Sequence, residues 1–495
     1  MPHFCDGLPD RSGGGLETNM GGEWIIRDAA WPASETAAAR YLGAPGELAW
    51  LDSASSGALT NDDARWSLFA FDPVATVEQV DGREAELFVD GRVIARDANV
   101  FQLLRAARAR TARFAAAPLG LAPGWLGYIG FEAARQLEKL PAARSRAAGL
   151  PLARMALFDR AIILDGLERR GYAVCAPGIR PRFSSRPVAF DPWFEQWECA
   201  AQQRPTRVEP ARIEPYDSVP RAAFERRVAR ALDYIRAGDI YQVNLAHRLE
   251  YRGVSDPLNA YARIREVNPA PYGAYFGWGG GAIASFSPEL FLELRGRDVL
   301  TRPIKGTRPR SGDPLLDDRL RSELLASEKD AAELAMIVDL HRNDLGRVCE
   351  FGSVRVPHPR RAERHPTVHH TVADVVGTLR EDRDAIDLLT ACFPPGSISG
   401  VPKIRALEII DEIEPVARGA YTGAIGMLGL DGNMTLNVAI RTLQFAGERA
   451  ALYVGGGIVA DSVPSEEFDE TMDKAAGILR GLRSGTPSMH HVGCE

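Results

Sequence analysis

Residues 218–251 read SVPRAAFERRVARALDYIRAGDIYQVNLAHRLEY, and two different periods meet inside them. Phe224, Val228, Leu232 and Ile235 recur every three to four residues, which places them on one face of a helix. Ser218 supplies a candidate cap, Pro220 suits the first turn, and Gly238 ends the helix. Beyond Gly238 the period falls to two: Tyr241, Val243, Leu245, Leu249 and Tyr251 alternate with Gln242, Asn244, Arg248 and Glu250. That is a strand with one apolar and one polar face.

The elements that follow keep this mixed character. A second alternating strand is predicted at Leu290–Leu294, after Ser287-Pro288-Glu289, and a helical stretch from about Pro314 to Leu345. A strand at Thr371–Leu379, a helix from about Ile404, strands at Gly423–Leu428 and Met434–Phe445, and an amphipathic helix from Ser465 complete this half. No repeat of fixed period is present, and no G-x-G-x-x-G follows a strand, so the βαβα alternation of a nucleotide-binding sheet is not expected. The predicted class is α+β.

Upstream, residues 23–205 give short apolar runs at Glu47–Leu51, Trp66–Phe71, Glu86–Phe88 and Ala161–Leu164, with a helical stretch near Val100–Ala116. They form a first α+β domain in this reading. In Pro123–Phe131, glycines alternate with large side chains, as strands do where another layer comes close. QQRPTRVEPARIEPYDSVP (202–220) marks a linker, taken as 206–218, before a second domain at 219–485. Residues 1–22 are rich in Gly and polar groups and are expected to be a flexible extension; 486–495 form a tail.

Composition narrows the function. With 59 Lys and Arg against 66 Asp and Glu, the 495-residue chain carries a net charge of −7 at pH 7, and nothing basic points to nucleic acid or to an anionic membrane. Its six cysteines are scattered, with no Cys-x-x-Cys pair, so reduced thiols and a cytoplasmic setting are expected. The N-terminus lacks the pattern of a signal peptide, and no apolar stretch approaches the ~18 residues of a membrane span.

Several residue groups suggest chemistry. Pro303-Ile304-Lys305-Gly306-Thr307-Arg308-Pro309-Arg310 fixes a single lysine among prolines, a glycine and arginines. Guanidinium neighbours such as Arg302 and Arg308 would disfavour its ammonium form, making it a nucleophile or an anion anchor; a basic surface turn is the plain alternative. Glu333 lies in a run that is apolar on nearly every side, where a carboxylate needs a metal or a basic partner; a Glu at a domain surface is the equal alternative. Glu467 and Glu470 share one side of the last helix, although Glu467 also suits a helix start. Carboxylates from separate helices would make an oxygen site suited to Mg²⁺. Gly455-Gly456-Gly457 could present backbone N–H groups to an anion, or be a loose turn. On the predicted strand Met434–Phe445, Thr435, Asn437 and Arg441 share one side, and Arg441 is a candidate carboxylate partner. His369 and His370 open another strand.

These stretches resemble one family. From about Val219 to Leu482 the chain is similar to the chorismate-utilising enzymes, most closely aminodeoxychorismate synthase component I, through GDIYQVNLA (238–246), SFSPELF (285–291), PIKGTRPR (303–310), AELAMIVDLHRNDLGRV (332–348), FPPGSISGVPKIRALEIIDEIEP (393–415), GAYTGAIG (419–426), NVAIRTL (437–443) and GGGIVADSVPSEEFDET (455–471). Residues 23–205 resemble the family's N-terminal domain through WLDSAS (50–55), FDPVATV (71–77) and GWLGYIGFEAARQLEKLP (124–141). The resemblance implies an anthranilate-synthase component I-like fold, two antiparallel β-sheets packed as a sandwich with helices outside. It implies Mg²⁺ on Glu333 and Glu470 with Glu467 beside them, and substrate carboxylates held by Arg441, Tyr421 and Gly455–Gly457. Thr307, His370 and Ser397 line the site in this reading, Glu289 is the acid/base residue and Lys305 the nucleophile. At position 305 anthranilate synthases carry alanine, and relatives that add water carry a lysine at the place of Gln242, so the implied activity is amination of chorismate at C4. Ammonia would come from a separate glutamine amidotransferase subunit, and tryptophan is a possible ligand near Asp52 and Ser53. An anthranilate synthase component I or a non-catalytic chorismate-binding subunit is the alternative.

Overall fold

The computed structural model describes residues 17–18, 24–44, 46–53, 65–80, 82–111, 114–117, 119–140, 149–184, 189–205, 213–365 and 368–483. Apart from Glu17–Thr18, the expected extension 1–22 lies outside the described residues, as does the tail 486–495. Among the described residues the strands form two sheets, of 13 and 12 strands, in which every strand pairing is antiparallel.

The two sheets face each other across one apolar core. Leu68, Phe276 and Ile283 of the larger sheet meet Val77, Trp125, Leu126 and Leu292 of the smaller one there. Tyr128 stacks on Trp278 across this interface, with ring centroids 6.1 Å apart. A second core covers the outer face of the larger sheet, where Trp50, Phe69 and Leu452 pack under Trp193, Trp197, Ile264 and Ile478 from helices. The α+β class and the sheet sandwich with outer helices are therefore the observed architecture.

Strands from both halves of the chain alternate within each sheet. Leu48–Asp52 pairs with Tyr272–Trp278, and Gly124–Ile129 pairs with Ala424–Gly429. Close approach explains the glycines of the 123–131 stretch: a Cβ on Gly124 would stand 2.8 Å from the Cα of Gly429. Among the described residues no helix is long and apolar enough to cross a membrane. Cys175, Cys199, Cys349 and Cys392 are free thiols.

Four local expectations need correction. Ser218 does not cap a helix; it ends strand Glu214–Ser218, which pairs with Gln242–Arg252, so the linker's last residues are a sheet edge. Helix Arg221–Arg236 starts after Pro220 and buries Phe224, Val228, Ala231 and Leu232 as the period requires. The helical stretch 314–345 is two helices, Pro314–Ala326 and Glu328–Gly346, because Ser327 turns extended and its Oγ accepts the Asp330 N–H at 3.2 Å, starting a new helix. Helix Glu328–Gly346 is buried on one side only, through Leu334, Ile337, Val338, His341 and Leu345, while Ala332, Ala335 and Asp339 are exposed. Its apolar run is alanine-rich and does not demand burial all round.

The fourth correction matters most. Met434–Phe445 is not one strand: Met434–Val438 belongs to the smaller sheet and Thr442–Ala446 to the larger, with Arg441 at φ 51° between them. A similar crossing joins Gly281–Ser287 of the larger sheet to Leu290–Arg295 of the smaller through Pro288 and Glu289. The two crossings are tied together. The Phe286 N–H donates to the Arg441 carbonyl at 3.1 Å, the Val438 N–H to the Glu289 carbonyl at 3.0 Å, and the Ser287 hydroxyl to the Val438 carbonyl at 2.6 Å.

Candidate active site

Lys305 lies on strand Ile304–Pro309, paired with Val368–Thr378, so its segment is a strand and not a surface turn. The register slips between Lys305 and Thr307, where Gly306 takes φ 72°. A bulge of this kind re-aims the side chains beside it, and glycine reaches that conformation without strain. The Thr371 hydroxyl donates to the Lys305 carbonyl and pins the bulge.

The Lys305 ammonium faces inward. A Cβ on Gly457 would collide with Gln242 Nε2 and stand 3.6 Å from Lys305 Nζ, which places lysine, glutamine and glycine against one another. Burial pulls the Lys305 pKa down, opposed by Glu333, Glu289 and Glu470 and assisted by Lys474. The arginines expected to do this are occupied elsewhere: Arg302 pairs with Asp374 at 2.6 Å, Arg308 with Asp330 at 3.5 Å, and Arg310 with Asp317 at 2.9 Å.

Glu289 is 3% exposed at its crossing. Burial pushes its carboxyl up to about 7, against the downward pull of the Ser397 hydroxyl, the Lys305 charge and the Ile304 N–H. Ser397 Oγ lies within range of this carboxyl without completing a well-directed hydrogen bond: Ser397 Oγ and Glu289 Oε1 are both buried and without a partner among the described residues. Both side-chain atoms of Gln242 and Nε2 of His370 share that condition. Buried polar atoms are costly unless satisfied, so five of them on four residues in one cleft mark a place built to receive a polar molecule.

A cationic side completes the site. His370 Nδ1 bonds to Thr307 Oγ at 2.9 Å. Its imidazole is held neutral by burial and by the nearby Arg441 guanidinium. Arg441 itself is half-buried, and burial lowers its pKa with no acidic side chain among the described residues contributing. A desolvated guanidinium without a protein carboxylate is suited to a carboxylate on a ligand. Replacing Arg441 by Met should therefore raise KM about tenfold to a hundredfold with a smaller change in kcat, as loss of a charge-assisted hydrogen bond does; steady-state kinetics checks this.

The three glycines are not a loop. Gly455–Gly457 lie inside strand Arg449–Ile458, paired with Asn244–Ala246, and the pairing on the other side ends at Leu443 and Leu452. Neighbours press on the strand: a Cβ on Gly455 would collide with the Leu245 carbonyl oxygen at 2.5 Å and stand 3.1 Å from Tyr421 OH, and one on Gly456 would stand 3.1 Å from Glu467 Oε2. Tyr421 stacks on Tyr453 at 5.6 Å.

Glu333, Glu467 and Glu470 surround the lysine end of this cleft. Burial raises the carboxyls of Glu333 and Glu467, and the neighbouring Glu470 adds to both shifts. Glu470 is held down by Lys474, its ion-pair partner at 2.7 Å, whose ammonium also reaches the Gly455 carbonyl at 3.1 Å. Among the described residues no three Asp, Glu, His or Cys groups converge as a ready metal cage. The donor set still fits Mg²⁺, which takes oxygen ligands, keeps several waters and needs only one or two carboxylates.

Sequence reading missed Lys474, although its i,i+4 spacing from Glu470 was a usable signal. It also missed Arg418, 1% exposed, which donates to Glu414 Oε1 at 2.7 Å, the Asn244 carbonyl at 2.8 Å and the Ile398 carbonyl at 3.2 Å, fastening three segments that line the site. The groove bounded by Phe131, Leu407, Glu414 and Arg418 is a separate place, where Arg418 pairs with Glu414, Arg135 with Asp411, and Glu132 accepts the Arg418 and Gly419 N–H groups. Asp52 stands apart in the second core, accepting hydrogen bonds from Tyr261 OH at 2.8 Å and from Arg265, while Ser53 Oγ is buried and has no partner among the described residues.

A family described as chorismate binding enzyme matches residues 55–480. Anthranilate synthase component 1 of Streptomyces coelicolor is 40% identical over 412 residues, covering 77% of each chain. Aminodeoxychorismate synthase component 1 of Klebsiella aerogenes is 42% identical over 363 residues, covering 73% of this chain and 77% of the relative. The crystal structure of anthranilate synthase component I from Streptococcus pneumoniae superposes with a TM-score of 0.74 at 30% identity, over 85% of this chain and 94% of that one.

Proposed function

The chain belongs to the chorismate binding enzyme family, and from that premise we propose that it is the chorismate-aminating component of an aminodeoxychorismate synthase, forming 4-amino-4-deoxychorismate. Relatives of both activities match at similar identity, so the choice rests on one observation: a lysine with a lowered pKa, Lys305, faces Glu289, Gln242 and Gly457 in the cleft. The resemblance puts alanine at this position in anthranilate synthases.

In this reading Arg441 and the open edge of Gly455–Gly457 hold the substrate carboxylates, and the neutral Lys305 amine attacks C2 of the ring. The ring double bonds shift, the C4–O bond breaks, and Glu289 gives its proton to the departing hydroxyl, which leaves as water. The Glu289 carboxylate then takes the proton shed by the alkylated lysine nitrogen. Ammonia attacks C4, the double bonds shift back, and the C2–N bond breaks as Glu289 returns that proton to the lysine nitrogen; the Glu289 carboxylate then takes a proton from the C4 ammonium, which resets both residues and leaves the 4-amino group. Glu333, Glu470 and Glu467 would hold Mg²⁺, which when bound would neutralise a substrate carboxylate. Burial serves both steps, because it moves the pKa values of Lys305 and Glu289 toward neutrality from opposite sides.

The relatives bear the name component 1, and we take ammonia to come from a glutamine amidotransferase as the second component, with a cytoplasmic setting. Tryptophan near Asp52 belongs to the same proposal, with Ser53 as its free group since Asp52 is committed to Arg265 and Tyr261. The deciding experiment is incubation with chorismate, Mg²⁺ and ammonium followed by chromatography of the products. 4-Amino-4-deoxychorismate is expected; anthranilate would replace this reading with the alternative, and unconsumed chorismate would leave a binding subunit.

A further inference from the structure

Lys403 belongs to none of the groups described above, yet its surroundings are the most fully constrained of any lysine near the site. Its side chain is 12% exposed, and its three N–H donors are all used: Asp344 Oδ2 at 2.6 Å, the Cys392 carbonyl at 2.9 Å and the Pro394 carbonyl at 3.1 Å. An ammonium with three convergent acceptors has no freedom left. The acceptors come from the end of helix Glu328–Gly346, which carries Glu333, from the end of helix Ala385–Cys392, and from the turn that leads to Ser397.

Beyond Pro394 the chain has no slack before Ser397. The Ser399 hydroxyl donates to the Pro395 carbonyl at 3.1 Å, and the Ser399 carbonyl accepts the Asn244 N–H at 2.9 Å. Gly400 and Val401 pair with Val243 and Gln242. A Cβ on Gly396 would stand 2.7 Å from Leu340 Cδ2 and 3.2 Å from His341 Cδ2, so the turn is pressed onto the helix. Its outward result is Ser397, whose buried hydroxyl lies within range of the Glu289 carboxyl.

We propose that Lys403, anchored by Asp344, is a positioning residue for proton transfer: it fixes the Pro394–Ser399 turn so that Ser397 orients the Glu289 carboxyl. The proposal rests on the acid role given to Glu289 above. The charged or titratable groups facing Lys403 are Asp344 and the neutral His341, with Arg347 and the Cys392 thiol behind Asp344. The charged group facing Glu289 is Lys305.

The test is the pH profile of chorismate consumption, expressed per free ammonia, for the wild type, Lys403→Met, Ser397→Ala and the double variant. The Ser397 hydroxyl pulls the Glu289 carboxyl down, so losing its placement lets the carboxyl rise and stay protonated to higher pH. In Lys403→Met, kcat should fall about tenfold with KM nearly constant, and the alkaline limb should move up by about half a pH unit. Ser397→Ala should give the same shift, and the double variant no more than either, since both changes act on one contact. A fall in kcat with the limb unmoved, or shifts that add, would make Lys403 a brace for the fold alone and overturn the proposal. Should Lys403→Met fail to fold by circular dichroism, Asp344→Asn keeps a carbonyl acceptor and should shift the limb the same way; an unmoved limb there also overturns it. Chorismate loss is read whichever product forms, so product identity tests the amination reading separately.

Discussion

Lys305→Ala is expected to lower aminodeoxychorismate formation by a factor on the order of 10³ or more while leaving chorismate binding nearly intact. Every feature around the side chain bears on that figure. The bulge at Gly306 aims it, Gly457 and Gln242 leave it little room, and burial pulls its pKa down, so the amine is held in place for attack before substrate arrives. Alanine removes the attacking atom and leaves the Arg441 side untouched, which is why the loss should fall on kcat. Intact-protein mass spectrometry adds an independent readout: the wild type mixed with chorismate and Mg²⁺ without ammonia should gain the mass of chorismate less water, and the variant should not. Turnover at the wild-type rate in Lys305→Ala would remove the covalent step from the mechanism.

Glu289→Gln should cost about 10²–10⁴-fold in kcat, the range for loss of a positioned general acid. Glutamine keeps the size and the hydrogen-bonding atoms, so the loss isolates the proton. The sign of the pH dependence follows from the raised pKa. With its carboxyl near 7, Glu289 is protonated and competent below that pH, and wild-type activity per free ammonia should decline as pH rises through it. The residual activity of Glu289→Gln should lack this decline. A variant that keeps the same alkaline limb would assign it to another group.

Much of this was legible before any coordinates. The helix at 221–236 follows from periodicity because it buries one regular face, while the strands at 66–71 and 424–429 follow from short runs with little charge, since both of their faces are buried. The candidate site residues were named through the motifs that carry the family resemblance, since a lone Lys, Glu or Arg has no period to betray it. What escaped was set by tertiary contact. Nothing local in Met434–Phe445 announces that the chain changes sheets at Arg441, because both pieces keep strand composition on either side of the break. The lysine's lowered pKa was expected from arginines, but those are consumed by Asp374, Asp330 and Asp317, each brought from another part of the chain. Lys403 and Arg418 look like surface charges in sequence, and only packing shows that each fastens several segments at once.

The paired crossings at Glu289 and Arg441 also limit how such a site can diverge. In a strand, one added or deleted residue turns every later side chain to the opposite face. Here two crossings are hydrogen-bonded to each other, and each feeds a strand in a different sheet. A length change in either would misplace the proton donor or the carboxylate anchor and scramble the register of two sheets together. Insertions and deletions are thus closed to this part of the chain, and new chemistry has to come from exchanging single side chains that project into the cleft, as at positions 242 and 305.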